Sequence, residues 1–362
     1  MSLALLGIGT AIPTHSIAQG EAAELAKAYC CRTDEHARLL PVLYKRTHVR
    51  RRGSVLLEDA TAQPRQSFFA PRSGDADQGP TTAQRMEHYR REAAPLAVAA
   101  ARAALEESRV AATEISHLIT VSCTGFVAPG VDVRLMKTLG LPDGVARTHI
   151  GFMGCHGAFN GLRVASTIAD ASAETRVLLC AVELCSLHFC YGWDAEKVVA
   201  NALFADGAAA VVAARAARVP SDDWQIAATG SHLFPDSEGA MTWRIGDHGF
   251  EMTLSAHVPV LLAHQLRPWL ERWLGAHDLG LSQIRSWAIH PGGPRILSTV
   301  ASCLALPDES TAASREILAE YGNMSSPTML FILKRLRDRG ASLPCVALGF
   351  GPGLVAEAAL IL

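Results

Sequence analysis

A cysteine, a histidine and an asparagine stand in short glycine-containing segments of the sequence. They are Cys155 in GFMGCHGAFNG, His290 in AIHPGGP and Asn323 in YGNMSSP. Cys155 directly precedes a helix-like stretch, and a thiolate at a helix N-terminus is favoured by the helix dipole and by free backbone N–H groups. An imidazole beside an amide donor suits an enolate or a thioester oxyanion. The residue types therefore indicate a cysteine nucleophile that forms acyl intermediates.

Other interpretations of the same residues fit less well. A buried cysteine is usually only a small apolar side chain, and Cys180 and Cys185 fit that description on or beside an apolar strand. The order Cys, His, Asn also occurs in papain-like proteases, but Cys155 lies in mid-chain and outside a C-G-S-C-W context. These segments contain no carboxylate base, which argues against an aldol-type condensation.

The elements that must position these residues alternate along the chain. Short apolar runs bounded by glycine or proline predict buried strands, and longer runs with few breakers predict helices. The predicted strands are 3–9, 117–122, 148–152, 176–182, 208–213, 224–229, 285–289 and 345–349. The predicted helices are 21–31, 82–108, 131–139, 259–274, 315–321 and 329–339, with a loop at 64–80. Strands that alternate with helices predict a layered α/β fold.

The chain divides near the polar segment 219–223. The second part loosely repeats the first, with a helix and then a strand before each glycine-containing loop. We therefore predict an N-terminal half, residues 1–217, that carries Cys155, and a C-terminal half, residues 218–362, that carries His290 and Asn323.

Composition narrows the function classes. The 362 residues are 49% hydrophobic and 19% charged with a net charge of −2, which excludes a disordered chain and gives no reason to expect a nucleic-acid partner. Nine cysteines without a C-x-x-C pair indicate neither a disulfide framework nor a metal site. Free thiols suit a reducing cytoplasm. The sequence contains no uninterrupted apolar run of about 18 residues, so no membrane span is predicted.

Four segments together resemble one family. The segments LFADGAAA (203–210), IHPGGP, GNMSS and GFGPG (349–353) are similar, in order and spacing, to the chalcone synthase-like (type III) polyketide synthases. The segment RMEHYRREAAPLA (85–97) resembles the bacterial branch, and the resemblance covers essentially the whole chain. It implies a thiolase-like αβαβα fold of two similar halves and a homodimer.

The resemblance also implies a mechanism. Cys155 would accept a starter from an acyl-CoA, with His290 holding it as a thiolate. His290 and Asn323 would then bind the thioester carbonyl of malonyl-CoA during decarboxylation. Repeated condensation would end in a pyrone or an aromatic ring, with CoA thioesters as substrates and no metal or redox cofactor.

Further positions follow from the same resemblance. Phe204 falls on the gating phenylalanine, and Met252 on a second gating aromatic of plant enzymes. The pocket is expected to include Phe204, Met252, His188, Cys185, Thr124, Ala128, Ser325, Gly351 and Pro352. Coenzyme A is expected to contact Arg46, Arg50, Gly292 and Gly293. His156, beside the nucleophile, departs from the plant pattern.

Two other functions stay open at this level. A ketoacyl synthase III-like or pyrone-forming enzyme would take acyl chains from an acyl carrier protein, although GFGPG favours the type III reading. A non-catalytic homologue would act as a binding subunit, but the retention of Cys155, His290 and Asn323 together argues against it. The starter, the number of extensions and the ring closure depend on the volume of the cavity.

Overall fold

The computed structural model describes residues 2–58, 65–216 and 224–362. The strands of the described chain are β1 (Leu3–Ala11), β2 (Ser16–Ala18), β3 (Arg51–Gly53), β4 (His117–Ser122), β5 (Ala146–Gly151), β6 (Arg176–Leu184), β7 (Asp206–Arg215), β8 (Gln225–Leu233), β9 (Met241–Gly246), β10 (Gly249–Leu254), β11 (Ser286–Ile289), β12 (Cys345–Gly351) and β13 (Val355–Ile361). The helices are α1 (Gln19–Cys30), α2 (Asp34–Arg46), α3 (Thr82–Ser108), α4 (Val131–Leu139), α5 (Gly157–Ala171), α6 (Ala195–Leu203), α7 (Val258–Gly275), α8 (Pro294–Leu304), α9 (Ala312–Tyr321) and α10 (Pro327–Asp338).

Nine strands form one mixed sheet in the order β11-β12-β13-β8-β1-β7-β6-β4-β5. The strands before residue 217 and those after residue 223 meet along β1 and β8, where Leu3 pairs with Ile226 and Ala4 with Gln225. β4, β5 and β6 run parallel, as do β11 and β12. The carboxyl ends of parallel neighbours lie at the same edge, which brings the loops after them close together.

Three apolar clusters define five layers of helix and sheet. One cluster joins α1 and the alanine-rich face of α3 to β6 and β7. A second joins α5 and α10 to β1 and β7 on one side and to β12 and β13 on the other. A third joins α7 and α8 to β11, β12 and β13. The order is therefore α, β, α, β, α, with α5 and α10 buried in the middle layer.

The structure confirms most of the predicted elements and adds several. The helices predicted over 82–108 and 131–139 and the strand over 117–122 have the predicted ends. The prediction missed α2, α6, α8 and the hairpin β9–β10, although the three helices are amphipathic; α2 contains Pro41 and α8 begins at Pro294, and proline usually interrupts a helical pattern. The predicted boundary at 217/218 falls at the edge of residues outside the described ranges and stays a prediction.

Candidate active site

Cys155 lies in a tight turn between β5 and α5. A short 3-10 helix, Gly154–His156, connects the two, and Phe152 and Gly154 both have positive φ (60° and 69°). A Cβ atom on Gly154 would lie 2.5 Å from Cδ of Pro352, so only glycine allows this approach. The turn therefore presses the cysteine against the loop that follows β12 and places it at the N-terminal end of α5.

The thiol of Cys155 is buried beside two polar side chains. Burial raises its pKa to about 11, while Ser325 and Asn323 favour the thiolate and the Glu183 carboxylate opposes it. The side-chain oxygen of Asn323 accepts a hydrogen bond of 2.8 Å from the backbone N–H of Ser325, which fixes the orientation of the amide. Its Nδ2 group is buried and has no hydrogen-bond partner among the described residues. The amide thus reaches the thiol electrostatically without a formed hydrogen bond.

His290 follows directly after β11 and is also left with free ring nitrogens. Its backbone N–H donates to the carbonyl of Leu348 in β12 at 2.8 Å, which holds the loop at the sheet edge. Nδ1 and Nε2 are both buried without a partner in the described part of the chain. Burial lowers the pKa of His290 to about 3, and nearby His156 lowers it further. Burial therefore favours the neutral forms of the Cys155 thiol and the His290 imidazole, and the thiolate expected from the sequence stays a prediction.

His156 connects the nucleophile turn to the opposite half of the sheet. Its Nδ1 lies 3.0 Å from Oδ1 of Asn160, whose amide nitrogen donates to Glu357 in β13 at 3.2 Å. Asn160 therefore accepts from His156, and Nε2 of His156 is a buried lone pair without a donor among the described residues. The ring also packs on Gly351, where an added Cβ would lie 2.2 Å from Cδ2 of His156.

Glu183 is a site residue that the sequence analysis missed. This fully buried carboxylate in β6 accepts hydrogen bonds from Cys123 N (2.9 Å), Thr124 Oγ1 (2.7 Å), Ser122 Oγ (3.3 Å) and Ser326 Oγ (2.6 Å). Burial raises its pKa. A carboxylate from a distant strand thus lies near Cys155, although the segments around Cys155, His290 and Asn323 contain none. Both oxygens of Glu183 are engaged, however, and they tie the end of β4 to the start of α10. A single acidic residue inside the apolar run RVLLCAVEL was the available signal.

One cavity of about 1190 Å³, its mouth included, contains Cys155. Seven of the predicted pocket residues line it: Thr124, Cys185, His188, Phe204, Met252, Ser325 and Pro352. Gly351 instead packs behind the nucleophile turn on His156. Ala128 lines a separate pocket with Tyr89 and His149, next to β5. Within the single chain, Ala128 therefore does not contact the cavity that contains Cys155.

His188 shapes the cavity without offering it a polar group. Its Nδ1 accepts the backbone N–H of Phe250 at 2.9 Å, so Nε2 carries the hydrogen and donates to the carbonyl of Thr124 at 2.7 Å. The ring stacks on Phe250 with a centroid distance of 4.2 Å. Burial lowers its pKa to about 3. Because both nitrogens are engaged, His188 presents a neutral carbon edge to a substrate.

The far end of the cavity is formed by α1 and by aromatic side chains. Ala22, Leu25 and Ala26 of α1 line it, together with Tyr29 and Phe69. The aromatic rings pack on one another, with 6.2 Å between the centroids of Tyr29 and Phe69. This apolar arm was not evident from the sequence, because its residues come from two segments far from the motifs.

A buried arginine anchors the wall of the cavity. Arg85 of α3 donates to the backbone carbonyls of Leu187 (2.6 Å), Phe189 (2.9 Å) and Pro80 (2.9 Å), and its guanidinium lies 5.3 Å from the ring centre of Phe69. Leu187 and Phe189 border the short 3-10 helix Cys185–His188 and its exit. Arg85 therefore fixes the segment that carries Cys185 and His188.

The predicted coenzyme A residues lie outside the cavity lining. Arg46 and Arg50 are exposed, and Arg50 lies 3.9 Å from Glu320. Gly292 and Gly293 form the turn between His290 and α8, where Gly292 N–H donates to the carbonyl of His290 at 3.0 Å. The neighbouring Arg52 does line the cavity, but its guanidinium is held by the carbonyls of Asn201 and Phe204.

The layers and the site together define a thiolase-like condensing enzyme. Residues 2–217 match the sequence model of the N-terminal domain of chalcone and stilbene synthases, and residues 225–362 match that of the C-terminal domain. The chain therefore belongs to the chalcone and stilbene synthase family. It is a type III polyketide synthase, an acyltransferase that condenses acyl units.

Similar proteins and structures agree with this assignment. The chain is 30% identical over 361 residues to the alpha-pyrone synthesis polyketide synthase-like Pks18 of Mycobacterium tuberculosis, covering 98% of this chain and 89% of that protein. It is 34% identical over 360 residues to the 1,3,6,8-tetrahydroxynaphthalene synthase of Streptomyces peucetius subsp. caesius, covering 98% and 91%. The crystal structure of PKS-I from the brown alga Ectocarpus siliculosus superposes with a TM-score of 0.91 at 32% identity, over 99% of this chain and 97% of that one. The C-terminal type III domain of Steely1 from Dictyostelium gives 0.89 at 25% identity, over 100% and 99%. Across the three described ranges, no helix combines the length and the apolar character needed to cross a bilayer.

Proposed function

We propose that Cys155 is the acyl-carrying nucleophile and that His290 and Asn323 bind the thioester carbonyl of malonyl-CoA. The observation that carries the proposal is a set of buried nitrogens without a partner among the described residues, Nδ1 and Nε2 of His290 and Nδ2 of Asn323, together with the closeness of Asn323 to the Cys155 thiol, whose pKa it lowers. Buried polar groups without partners are costly, so their retention is explained best by a substrate that supplies the missing acceptor.

The first step loads the starter. Burial favours the neutral forms of both the thiol and the imidazole. As the sulfur of Cys155 attacks the thioester carbonyl, its proton moves to His290. The carbon–sulfur bond to coenzyme A breaks, and the departing thiolate takes that proton. The N-terminal end of α5 favours the negative charge that develops on the sulfur.

The second step extends the chain. Malonyl-CoA loses carbon dioxide, and the electron pair of the broken bond becomes a thioester enolate. An N–H of His290 and Nδ2 of Asn323 donate to the enolate oxygen. The enolate carbon then attacks the acyl carbonyl on Cys155, and the cysteine leaves as a thiolate. The electrons balance without an oxidant, so we propose that no metal or redox cofactor takes part.

The cavity favours an apolar acyl starter. Its inner arm is lined by α1 and by Tyr29 and Phe69, and His188 presents only carbon to it. Repeated extension within a narrow, mostly apolar cavity favours folding of the product onto itself, and we propose a pyrone or aromatic product.

We also propose a homodimer in the cytoplasm. The last strand of the sheet, β5, has one unpaired edge in the described residues, and four of its six residues are exposed. Phe126 and Met153 are exposed near that edge, and open apolar sheet edges are normally covered. All nine cysteines are free thiols, which suits a reducing compartment. Sedimentation at micromolar concentration tests the dimer, and a monomer would contradict it.

A product assay tests the central proposal. Purified protein is incubated with malonyl-CoA and a series of aliphatic and aromatic acyl-CoA starters, and products are identified by mass spectrometry. Cys155→Ala should abolish both acyl-enzyme and products, whereas the matched change Cys303→Ala, on α8, should leave them unchanged. Products from Cys155→Ala, or acylation of another residue, would refute the assignment.

A further inference from the structure

Two serine hydroxyls in the lining of the cavity are connected to a buried carboxylate. Ser54, just after β3, and Ser186, in the short 3-10 helix Cys185–His188, both line the cavity that contains Cys155. Asp206, the first residue of β7, is fully buried. The Oγ atoms of Ser54 and Ser186 lie 2.7 Å apart, and Oγ of Ser186 lies 2.6 Å from Oδ2 of Asp206. We call these three side chains the hydroxyl chain, because they connect the cavity to the carboxylate through hydrogen bonds.

The carboxylate at the end of the hydroxyl chain sets the direction of each hydrogen bond. An ionised Asp206 only accepts, so the single hydroxyl hydrogen of Ser186 lies toward Oδ2 and Ser54 must donate to Ser186. Oγ of Ser54 accepts the backbone N–H of Leu56 at 3.1 Å, which uses one of its lone pairs. In the described part of the chain, its second lone pair has no donor. The end of the hydroxyl chain at the cavity is therefore an acceptor for a hydrogen that a substrate supplies.

Asp206 is suited to take up and release a proton near neutral pH. Burial raises its pKa to about 6, while the hydroxyl and N–H donors of Ser186 and the N–H of Val55 act in the opposite direction. General bases work best when their pKa lies near the pH at which the enzyme operates. Arg52 interacts electrostatically with Asp206, but its Nη1 is held by two main-chain carbonyls. The carboxylate therefore stays available to accept a proton through the hydroxyl chain.

The hydroxyl chain lies close to the nucleophile. Cys185 directly precedes Ser186 and also lines the cavity. Burial raises the pKa of the Cys185 thiol, and the charges of Asp206 and Cys155 raise it further. One thiol is thus within electrostatic reach of both the buried carboxylate and the sulfur that carries the acyl group. A β-keto chain that grows from Cys155 into the cavity therefore meets Ser54 on the cavity wall.

Ring closure needs an acceptor for a proton, which the condensation steps do not require. During condensation His290 and Asn323 donate hydrogens to the enolate oxygen. When a pyrone closes, an enol oxygen of the β-keto chain attacks the thioester carbon and a carbon–oxygen bond forms. The carbon–sulfur bond breaks, and its electron pair leaves with the sulfur as a thiolate. The hydrogen of the enol must be removed as the new bond forms.

We propose that Ser54 is a catalytic residue of ring closure, whose hydroxyl takes the enol proton and passes it through Ser186 to Asp206. The inference rests on the proposed function, namely that the product cyclises. As the enol proton reaches Oγ of Ser54, the Ser54 hydrogen moves to Ser186 and the Ser186 hydrogen moves to Oδ2 of Asp206. The protonated carboxyl then returns a proton along the same path to the thiolate. Protons and electrons balance, and no further reactant is needed.

The experiment measures how each variant divides its product between cyclised and open-chain compounds. Purified protein is incubated with malonyl-CoA and a series of starters from acetyl-CoA to palmitoyl-CoA. Products are quantified by mass spectrometry, and acylation of Cys155 is followed separately on the intact protein. Ser54→Ala and Ser186→Ala each remove one hydroxyl. Ser54→Thr and Ser54→Val form a matched pair, since both are β-branched and only threonine keeps a hydroxyl. The control is Ser298→Ala on α8, whose hydroxyl donates to the carbonyl of Pro294 at an exposed position.

We expect Ser54→Ala and Ser186→Ala to lower the ratio of cyclised to open-chain product by about tenfold or more, and to change the acylation rate by less than about twofold. Ser54→Thr should restore the ratio and Ser54→Val should not. An unchanged ratio in Ser54→Ala, or equal ratios in Ser54→Thr and Ser54→Val, would overturn the proposal. Parallel losses of acylation and ring closure would also overturn it, because they would show a structural role.

Failure of the proposed function gives a different result. Open-chain products alone from the wild type would refute ring formation itself. Acylation of Cys155 by none of the starters would refute its role as the nucleophile. In either case the role of Ser54 in ring closure is overturned as well, whereas a change confined to the Ser54 and Ser186 variants separates the hydroxyl chain from both.

Discussion

The contact between Gly351 and His156 gives a direct test of how the site is assembled. An alanine at position 351 would place Cβ 2.2 Å from Cδ2 and 2.6 Å from Nε2 of His156. Ordinary contact begins at 3.4 Å, so the two groups must separate by about 1.2 Å. The ring cannot turn aside freely, since it is buried and its Nδ1 is held by Asn160. Either His156, the residue beside Cys155, or the loop that begins at Pro352 must therefore move.

The size of the effect follows from that displacement. Overpacking of a tight site costs about 1–3 kcal/mol. With about 2.1 cal/mol/K of unfolding entropy per residue over a chain of this length, that cost lowers Tm by about 1–4 °C. A shift of about 1 Å in a reacting group lowers rates by on the order of 100-fold. Gly351→Ala should thus lose activity far more than stability.

Single-turnover acylation of Cys155 and thermal unfolding measure the two effects. Gly20→Ala is the control, since a Cβ there meets nothing within 4 Å. In the double variant His156→Ala with Gly351→Ala the clash is gone, so the acylation rate should exceed that of Gly351→Ala alone. The steric argument would be refuted if Gly351→Ala were acylated at the wild-type rate, or if the double variant were acylated no faster than Gly351→Ala alone.

Three further predictions concern Asp206, Glu183 and Met252. Burial raises the pKa of Asp206 to about 6 from 3.8, so the folded state retains a proton that the unfolded state has lost. The stability that this proton contributes is therefore present below about pH 4 and is lost as the pH rises through 6, so the free energy of unfolding falls by about 3 kcal/mol over that range. Asp206→Asn should remove this part of the pH dependence, measured by urea unfolding at several pH values. Glu183→Gln places an N–H₂ group among four donors and should lower the free energy of unfolding by about 1–3 kcal/mol, read from the urea midpoint. Met252→Phe puts a stiffer, larger side chain in the cavity lining and should reduce kcat/KM for the longest accepted acyl-CoA about tenfold, measured across a chain-length series.

Each of these has a matched control. Asp247→Asn, at an exposed turn, should leave the pH dependence of stability intact, and an unchanged slope for Asp206→Asn would contradict the assignment. Glu106→Gln on the exposed side of α3 should leave the urea midpoint within experimental error. Met252→Leu conserves volume and should keep the starter preference, whereas equal losses in Met252→Leu and Met252→Phe would remove the steric explanation.

The sequence predicted the buried framework well, because that framework depends on local patterns. The strand His117–Ser122 and the helix Thr82–Ser108 are long, periodic and bounded by clear breakers. The segments around Cys155, His290 and Asn323 were recognisable because tight turns restrict them to glycine and proline. Seven pocket positions followed from the family resemblance and do line the cavity.

The sequence did not predict what depends on contacts between distant segments. In the sequence, Glu183 is a single polar residue within an apolar strand. Only the fold places four hydrogen-bond donors around its carboxylate. Ala128 lines a separate pocket of the single chain, because the direction of its loop relative to β5 is a tertiary property. The pKa values of Cys155 and His290 are shifted by burial depth, which residue types do not specify.

The anchoring of the cavity wall by Arg85 matters for efforts to redirect this enzyme by directed evolution. Arg85 holds its segment by main-chain carbonyls of Leu187, Phe189 and Pro80, and not by their side chains. Every amino acid has such a carbonyl, so the codon for Phe189, which lines the cavity, can be randomised without removing the anchor, whereas Leu187 is a fully buried core residue and is best left unchanged. A combinatorial library at the cavity wall should therefore yield many folded members, provided that the codon for Arg85 is left fixed.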